Sequence, residues 1–240
     1  MVYKITDEIH ISYGEYINNT DEKKERTMQN INVINNAGNN VNVTINEKDN
    51  GIQILIDTVH NKKRLSELNQ YDHFEQDGEE YILCKLFENG TASVLRADLL
   101  DKKMRFGKNN NWAESDWREY LNGEYLEVLE QKFGSENIVE HKVDLTSMDG
   151  FDDYGYTMDK VAIRTFDEFR ETSKGVGLAD DFEWLATPNQ TPSRGDSIYV
   201  QGINSNGVVD FSGCGWNDSS VRPFFFVKSS VFVSLKKMES

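Results

Sequence analysis

Few side chains in the 240-residue chain have types and spacings that could do chemistry. Cys84 and Cys214 stand far apart with no partner at C-x-x-C spacing, so neither a disulfide framework nor a zinc site is indicated, and both read as buried or incidental thiols. His10, His60, His73 and His141 fall in different segments without ligand spacing. No G-x-S-x-G elbow, phosphate loop or dinucleotide fingerprint occurs; Gly175-Val176-Gly177 lacks a third glycine and a preceding strand. Asp149-Gly150-Phe151-Asp152-Asp153 is acidic, yet it has neither the alternating early ligands nor the later glutamate of an EF-hand. Arg222, beside Pro223, could clamp a carboxylate from Asp152, Asp153 or Asp116, because a guanidinium grips such a group with two parallel hydrogen bonds. A buried charge must be paired, so a structural ion pair is the expected role. Arg194-Gly195-Asp196 reads as a loop tripeptide. The expectation is a protein that is not an enzyme.

The segment from Asn189 to Asp218 differs in kind. It is built from Asn, Ser, Gly, Asp, Arg, Tyr and Trp with few aliphatics, the composition of contact loops in which aromatics anchor and small polar residues supply hydrogen bonds. Asn189, Arg194, Tyr199, Asn204, Trp216, Asn217 and Asp218 are therefore the candidate ligand-binding residues. The chain carries 26 basic and 41 acidic side chains, a net charge of −15. That balance excludes a phosphate-backbone binder and disfavours anionic membrane surfaces, since both depend on Lys and Arg. At 38% hydrophobic and 11% aromatic the composition is that of a folded chain, and no run approaches the roughly 20 apolar residues of a membrane span. The opening Met1 to Glu8 is acidic where a secretory signal would be apolar, so a cytoplasmic protein is expected.

The elements that must position these residues fall into two regions, 1–58 and 59–240. In the first, asparagines separate alternating apolar residues: Ile31 and Val33, then Val41, Val43 and Ile45, then Ile52, Ile54 and Ile56. The period predicts a three-strand meander with turns at Asn36-Ala37-Gly38-Asn39 and Lys48-Asp49-Asn50-Gly51, preceded by a charged run from Asn19 to Arg26 that reads as a solvated linker or a frayed helix end. So small a sheet must pack on the rest of the chain or on a second copy, which makes residues 28–57 a candidate for self-association. In the second region, Tyr81 to Leu86 and Ala92 to Leu95 predict a hairpin across Glu88-Asn89-Gly90. One helix is expected from the N-cap Ser115 to Phe133, closed by Gly134. A second opens on the capping box Thr165-Phe166-Asp167-Glu168 and stops near Gly175. Short strands are expected at 197–201, 208–211, 224–227 and 230–235. Trp112, Trp117, Arg118, Trp184 and Arg222 are expected to be structural, the large rings anchoring the core around long loops. The fold class is α+β.

Five ordered blocks carry a resemblance. Trp112-Ala113-Glu114-Ser115-Asp116-Trp117-Arg118-Glu119-Tyr120-Leu121-Asn122 is similar to the W-x-x-S-x-x-R-x-W/Y-L-N stretch of a family of bacterial and prophage domains of unknown function. Asp144 to Ser147 with Asp152 to Gly155, Asp159-Lys160-Val161, Trp184 to Pro188, and Ser220 to Phe224 followed by Ser229 to Ser234 are similar to its further blocks. The Asn-rich opening lies outside the match. That family resembles proteins of the C-type-lectin-like fold, the architecture of formylglycine-generating enzymes and of variable phage receptor-binding proteins. The resemblance implies a C-type-lectin-like domain with two helices and antiparallel strands, preceded by a small β-rich segment. The metal-binding cysteine pair of the oxidases and the histidine cluster of related sulfoxide synthases have no counterpart here. Trp216-Asn217-Asp218 resembles the Trp-Asn-Asp motif of sugar-binding lectins, which implies calcium on Asn217 and Asp218, although the flanking lectin cysteines are missing. The expected function is a phage or prophage recognition module binding a protein or glycan through its C-terminal loops, virion-associated if structural. The alternative is an acidic intracellular inhibitor that mimics nucleic acid and blocks a basic host protein.

Overall fold

A computed structural model of the chain describes residues 62–235 and, N-terminal to them, the backbone of four strands. The chain divides into two compact units, Met1–Lys62 and Lys63–Ser240, close to the expected boundary. The first unit corrects the three-strand meander. Its strands β1 (Ile9–Gly14) and β2 (Gln29–Asn35) form one antiparallel pair, and β3 (Val41–Lys48) and β4 (Gly51–Thr58) form another. The Ile-His-Ile-Ser-Tyr alternation of residues 9–13 supplies β2 with a partner the meander had not included, while β3 turns directly into β4 with Lys48 opposite Gly51. The Asn36 to Asn39 turn, the Asn19 to Arg26 run and the side-chain faces on which self-association through 28–57 depends lie outside the described residues.

The second unit is mixed α+β. Its elements are β5 (Lys62–Arg64), β6 (His73–Gln76), β7 (Glu79–Leu86), β8 (Thr91–Arg96), α1 (Asp116–Leu121), α2 (Glu124–Phe133), β9 (Ile138–Val139), β10 (His141–Asp144), β11 (Tyr156–Asp159), β12 (Val161–Ala162), α3 (Phe166–Val176), β13 (Glu183–Pro188), β14 (Tyr199–Ile203), β15 (Val209–Gly213), β16 (Phe224–Lys228) and β17 (Phe232–Leu235). Eight strands make one curled sheet in the order β12-β16-β8-β7-β6-β17-β5, with β9 also on β16. β10 pairs with β11, and β13, β14 and β15 form a separate antiparallel sheet. The expected β7–β8 hairpin is present, and β17 returns the chain beside β6.

Local chemistry explains the helices. Ser115 Oγ accepts the Arg118 N–H at 3.0 Å and starts α1 as expected. The single helix expected up to Phe133 is instead bent in two at Asn122-Gly123, because Asn122 reaches across the fold. Its Nδ2 donates to the Val161 carbonyl at 2.8 Å, and its Oδ1 accepts the N–H groups of Lys160 and Val161. Beyond the bend, α2 buries Tyr125, Leu129 and Phe133 at i, i+4 and i+8, and the Phe133 ring meets Tyr81 and Phe225 edge-on. In α3 both halves of the capping box form: Thr165 Oγ1 accepts the Glu168 N–H, and Glu168 Oε2 accepts the Thr165 N–H at 2.7 Å. The helix ends at Val176, one residue beyond Gly175, as expected. Gly175 serves a close approach, since a Cβ there would lie 2.1 Å from the Tyr71 ring.

Candidate functional site

Two buried carboxylates organise the unit. Asp159, at the end of β11, accepts Trp112 Nε1 at 2.8 Å, Thr157 Oγ1 at 2.7 Å, and Arg118 through Nε at 2.8 Å and Nη2 at 2.7 Å. The Trp-x-x-Ser-x-x-Arg spacing thereby has a physical cause: the 3-10 turn Trp112–Glu114 places the indole, and Ser115 then starts the helix that carries Arg118, so both meet one carboxylate. The second is Glu183 at the start of β13. Arg164 Nη2 reaches its two oxygens at 2.9 and 3.0 Å, and Arg222 reaches Oε2 through Nε at 2.9 Å and Nη2 at 2.7 Å. All three side chains are almost wholly buried. Burial pushes the Glu183 carboxyl up, but the two guanidinium groups outweigh it and hold it below the usual carboxylate range. Arg222 is thus in a structural ion pair, as expected, while its expected partners are corrected. Asp116 meets Arg105, Asp153 accepts the Ser193 N–H, and the Arg222 carboxylate is Glu183. Glu183 sits in an apolar run with no local signal of pairing, so only the β13 packing brings it to Arg222. Trp117 and Trp184 are fully buried core rings, as expected.

The candidate ligand-binding residues gather around the β13–β14–β15 sheet but do not converge on one face. Asn189 is internal to it: its N–H donates to the Tyr199 carbonyl at 2.9 Å and its Oδ1 accepts Gln201 Nε2 at 2.7 Å. Asn204 shapes the β14–β15 turn, its Oδ1 accepting the N–H groups of Asn206 and Val208. Arg194 is held by Asp149, at 3.2 Å, over the Phe151 ring. Tyr199 is 43% exposed and meets Phe211 edge-on at 5.3 Å between centroids. Trp216, 41% exposed, packs on Phe182 and Trp184. Asn217 and Asp218 are exposed beside it. The ladder pairs Gln201 with Phe211 and Ile203 with Val209, so Tyr199, Val209 and Phe211 share one face. Gly202 belongs to the other face, where a Cβ would collide with Phe182 at 2.1 Å, and Trp216 lies with Phe182 on that side.

Sequence reasoning missed Ile198, Val208, Val209, Phe211 and Leu178. Seven of the fourteen exposed large apolar side chains among the described residues fall between Leu178 and Trp216, which singles out this sheet from the rest of the unit. The Val209-Asp210-Phe211 alternation carried the signal. β15 ends the sheet, and its ladder phase is fixed by the Asn204 N–H bond to the Val208 carbonyl at 3.1 Å and the Cys214 N–H bond to the Ile198 carbonyl at 2.7 Å. Alternation then turns the N–H and C=O groups of Val209, Phe211 and Gly213 away from β14. The Phe211 N–H donates instead to Asp210 Oδ1 at 2.8 Å.

For cations, Asp218 Oδ1 and Asp181 Oδ2 accept Lys103 Nζ at 3.2 and 3.1 Å, so calcium on Asn217 and Asp218 would displace an ammonium. Among the described residues no three His, Cys, Asp or Glu side chains converge as a metal cage. A cavity of about 350 Å³ between α3, β7 and β16 is lined by Cys84, Glu168, Thr172, Phe224 and Phe226. Burial pushes the Cys84 thiol up to about 12 and raises the Glu168 carboxyl, so the thiol stays protonated at neutral pH. Compared with protein-family models, with curated proteins and with solved structures, the chain matches none.

Proposed function

We propose that the second unit is a non-enzymatic recognition module, C-type-lectin-like in architecture and phage or prophage in setting, which binds a protein or glycan through the β14–β15 hairpin and the loop that follows. One observation carries the reading: exposed apolar and aromatic side chains concentrate on this hairpin among Asn, Ser and Asp neighbours. Exposed aromatics ringed by small polar groups supply contact area at low entropy cost. Substituting Tyr199, Phe211 and Trp216 by alanine should abolish capture of the ligand from host lysate or on a glycan array while the chain stays folded, the loss of Trp216 from its contact with Phe182 and Trp184 lowering the melting temperature by a few degrees. Capture equal to that of the native chain would overturn the reading.

A second reading, the acidic inhibitor of a basic host protein, is favoured by the net charge of −15 and by the charge of this region. Asp180, Asp181, Asp196, Asp210 and Asp218 lie on or beside the sheet; Lys103 pairs with Asp181 and Asp218, and Arg194 is held by Asp149, so the aspartates outnumber the cations there. Salt separates the two, because binding led by complementary charge weakens as ionic strength rises whereas an apolar contact persists.

A further inference from the structure

β15 ends its sheet with one long edge unpaired by any described strand. Its outward N–H and C=O groups at Val209 and Phe211, with the Gly213 N–H, form a template for main-chain pairing, the Gly213 carbonyl being taken by the Trp216 N–H at 2.9 Å. Proteins blunt such edges with charged side chains, and Asp210 does this by accepting the Phe211 N–H. We propose that β15 is an acceptor edge, to which an extended partner segment with lysine or arginine at alternate positions adds as a fourth strand. The inference rests on the recognition reading and names the partner class for that surface.

The occupant follows from the two faces of the strand. Val209 and Phe211 share one face with Tyr199, so the incoming residues beside them are apolar. Asp210 points to the other face and carries no ion pair among the described residues; of the region's five aspartates Lys103 pairs with Asp181 and Asp218, while Arg194 is held by Asp149 outside that set, which leaves the surface beside β15 net negative. The incoming residue beside Asp210 is therefore basic. On pairing, the Phe211 N–H passes from Asp210 to a partner carbonyl, and the freed carboxylate meets the cation. A second copy of the chain is the wrong occupant, since it brings −15 against −15.

The test uses the isotope-labelled full chain and the synthetic peptide Lys-Val-Lys-Val-Lys-Val-Lys. Binding should slow amide exchange at Val209, Phe211 and Gly213, whose N–H groups point outward, and leave Asp210 and Ser212 as protected as before. Asp210→Lys should weaken binding about tenfold or more. Val209→Pro removes an outward donor without touching the β14 bonds and should abolish binding; a version of the peptide N-methylated at its valines should fail with the native chain. No binding at millimolar peptide, binding without added protection at those three amides, or equal binding of Glu-Val-Glu-Val-Glu-Val-Glu would each overturn the proposal. If Val209→Pro keeps the ligand while the alanine variants of Tyr199, Phe211 and Trp216 lose it, edge pairing is refuted and the recognition reading stands.

Discussion

Three strands of one sheet grade from core to solvent. Every residue of β13 is buried, β14 is buried except for Tyr199, and β15 is exposed apart from the half-buried Ser212 and Gly213. β13 holds Glu183 between two arginines and Trp184 in the core, whereas β15 holds Val209 and Phe211 in water with little beneath them. At the buried edge polar groups are paired because they must be, and at the free edge apolar groups are exposed where stability gains little from them. Exposed apolar side chains that folding does not require are the observation on which the proposed recognition role rests.

That contrast can be broken from the buried side first. Glu183→Gln leaves two guanidinium groups buried without a countercharge and should cost about 3–5 kcal/mol in denaturant unfolding, a large share of the roughly 5–15 kcal/mol that holds a domain together. Replacing Arg164, Glu183 and Arg222 together by apolar residues of similar volume should recover most of the loss. An unaltered midpoint for Glu183→Gln would show that the trio is not essential to the core.

The next effect lies in β10. His141 stacks on Phe226 at 4.6 Å between centroids and has no well-formed hydrogen bond at either ring nitrogen. Burial lowers its pKa from 6.5 to about 4, against the opposing pull of Asp159, which faces it across the β10–β11 ladder. The unfolded chain therefore takes up this proton first. The stability held by neutral His141 is complete above pH 6.5 and is lost as pH falls from there towards 4, by about 3 kcal/mol in all. His141→Phe should flatten that part of the stability profile relative to the native chain; identical profiles would contradict it.

The smallest effect is expected at the free edge. Tyr199→Ser combined with Phe211→Ser should cost about 1–2 kcal/mol, the loss of one ring pair and of strand propensity, since both side chains are half in water already. A loss of several kcal/mol would mean that the hairpin is part of the core, and the contrast with β13 would fail.

What was legible in the sequence was local. The Ser115 cap, both halves of the Thr165 box and the β7–β8 hairpin depend on neighbours a few residues away, and all three formed. What was illegible was set at a distance. The bend at Asn122 depends on Val161, and the partner of Arg222 on a glutamate in a strand with no local hint of charge pairing. The residues drawn from the 189–218 segment as candidates were chosen for polar chemistry. Several of these, Asn189, Arg194 and Asn204, hold the loops in shape. The exposed apolar ones became visible only when strand pairing showed which face each occupied.

Cys84 gives the buried side a further use. The β7–β8 register slips between Leu83 and Lys85, so Cys84 sits at the irregularity, fully buried, between the hairpin and α3. A thiol held in that state reacts with a labelling reagent only during excursions that lift the hairpin from α3. Its labelling rate is thus a clock for partial opening of the domain, read in the native chain without any introduced probe.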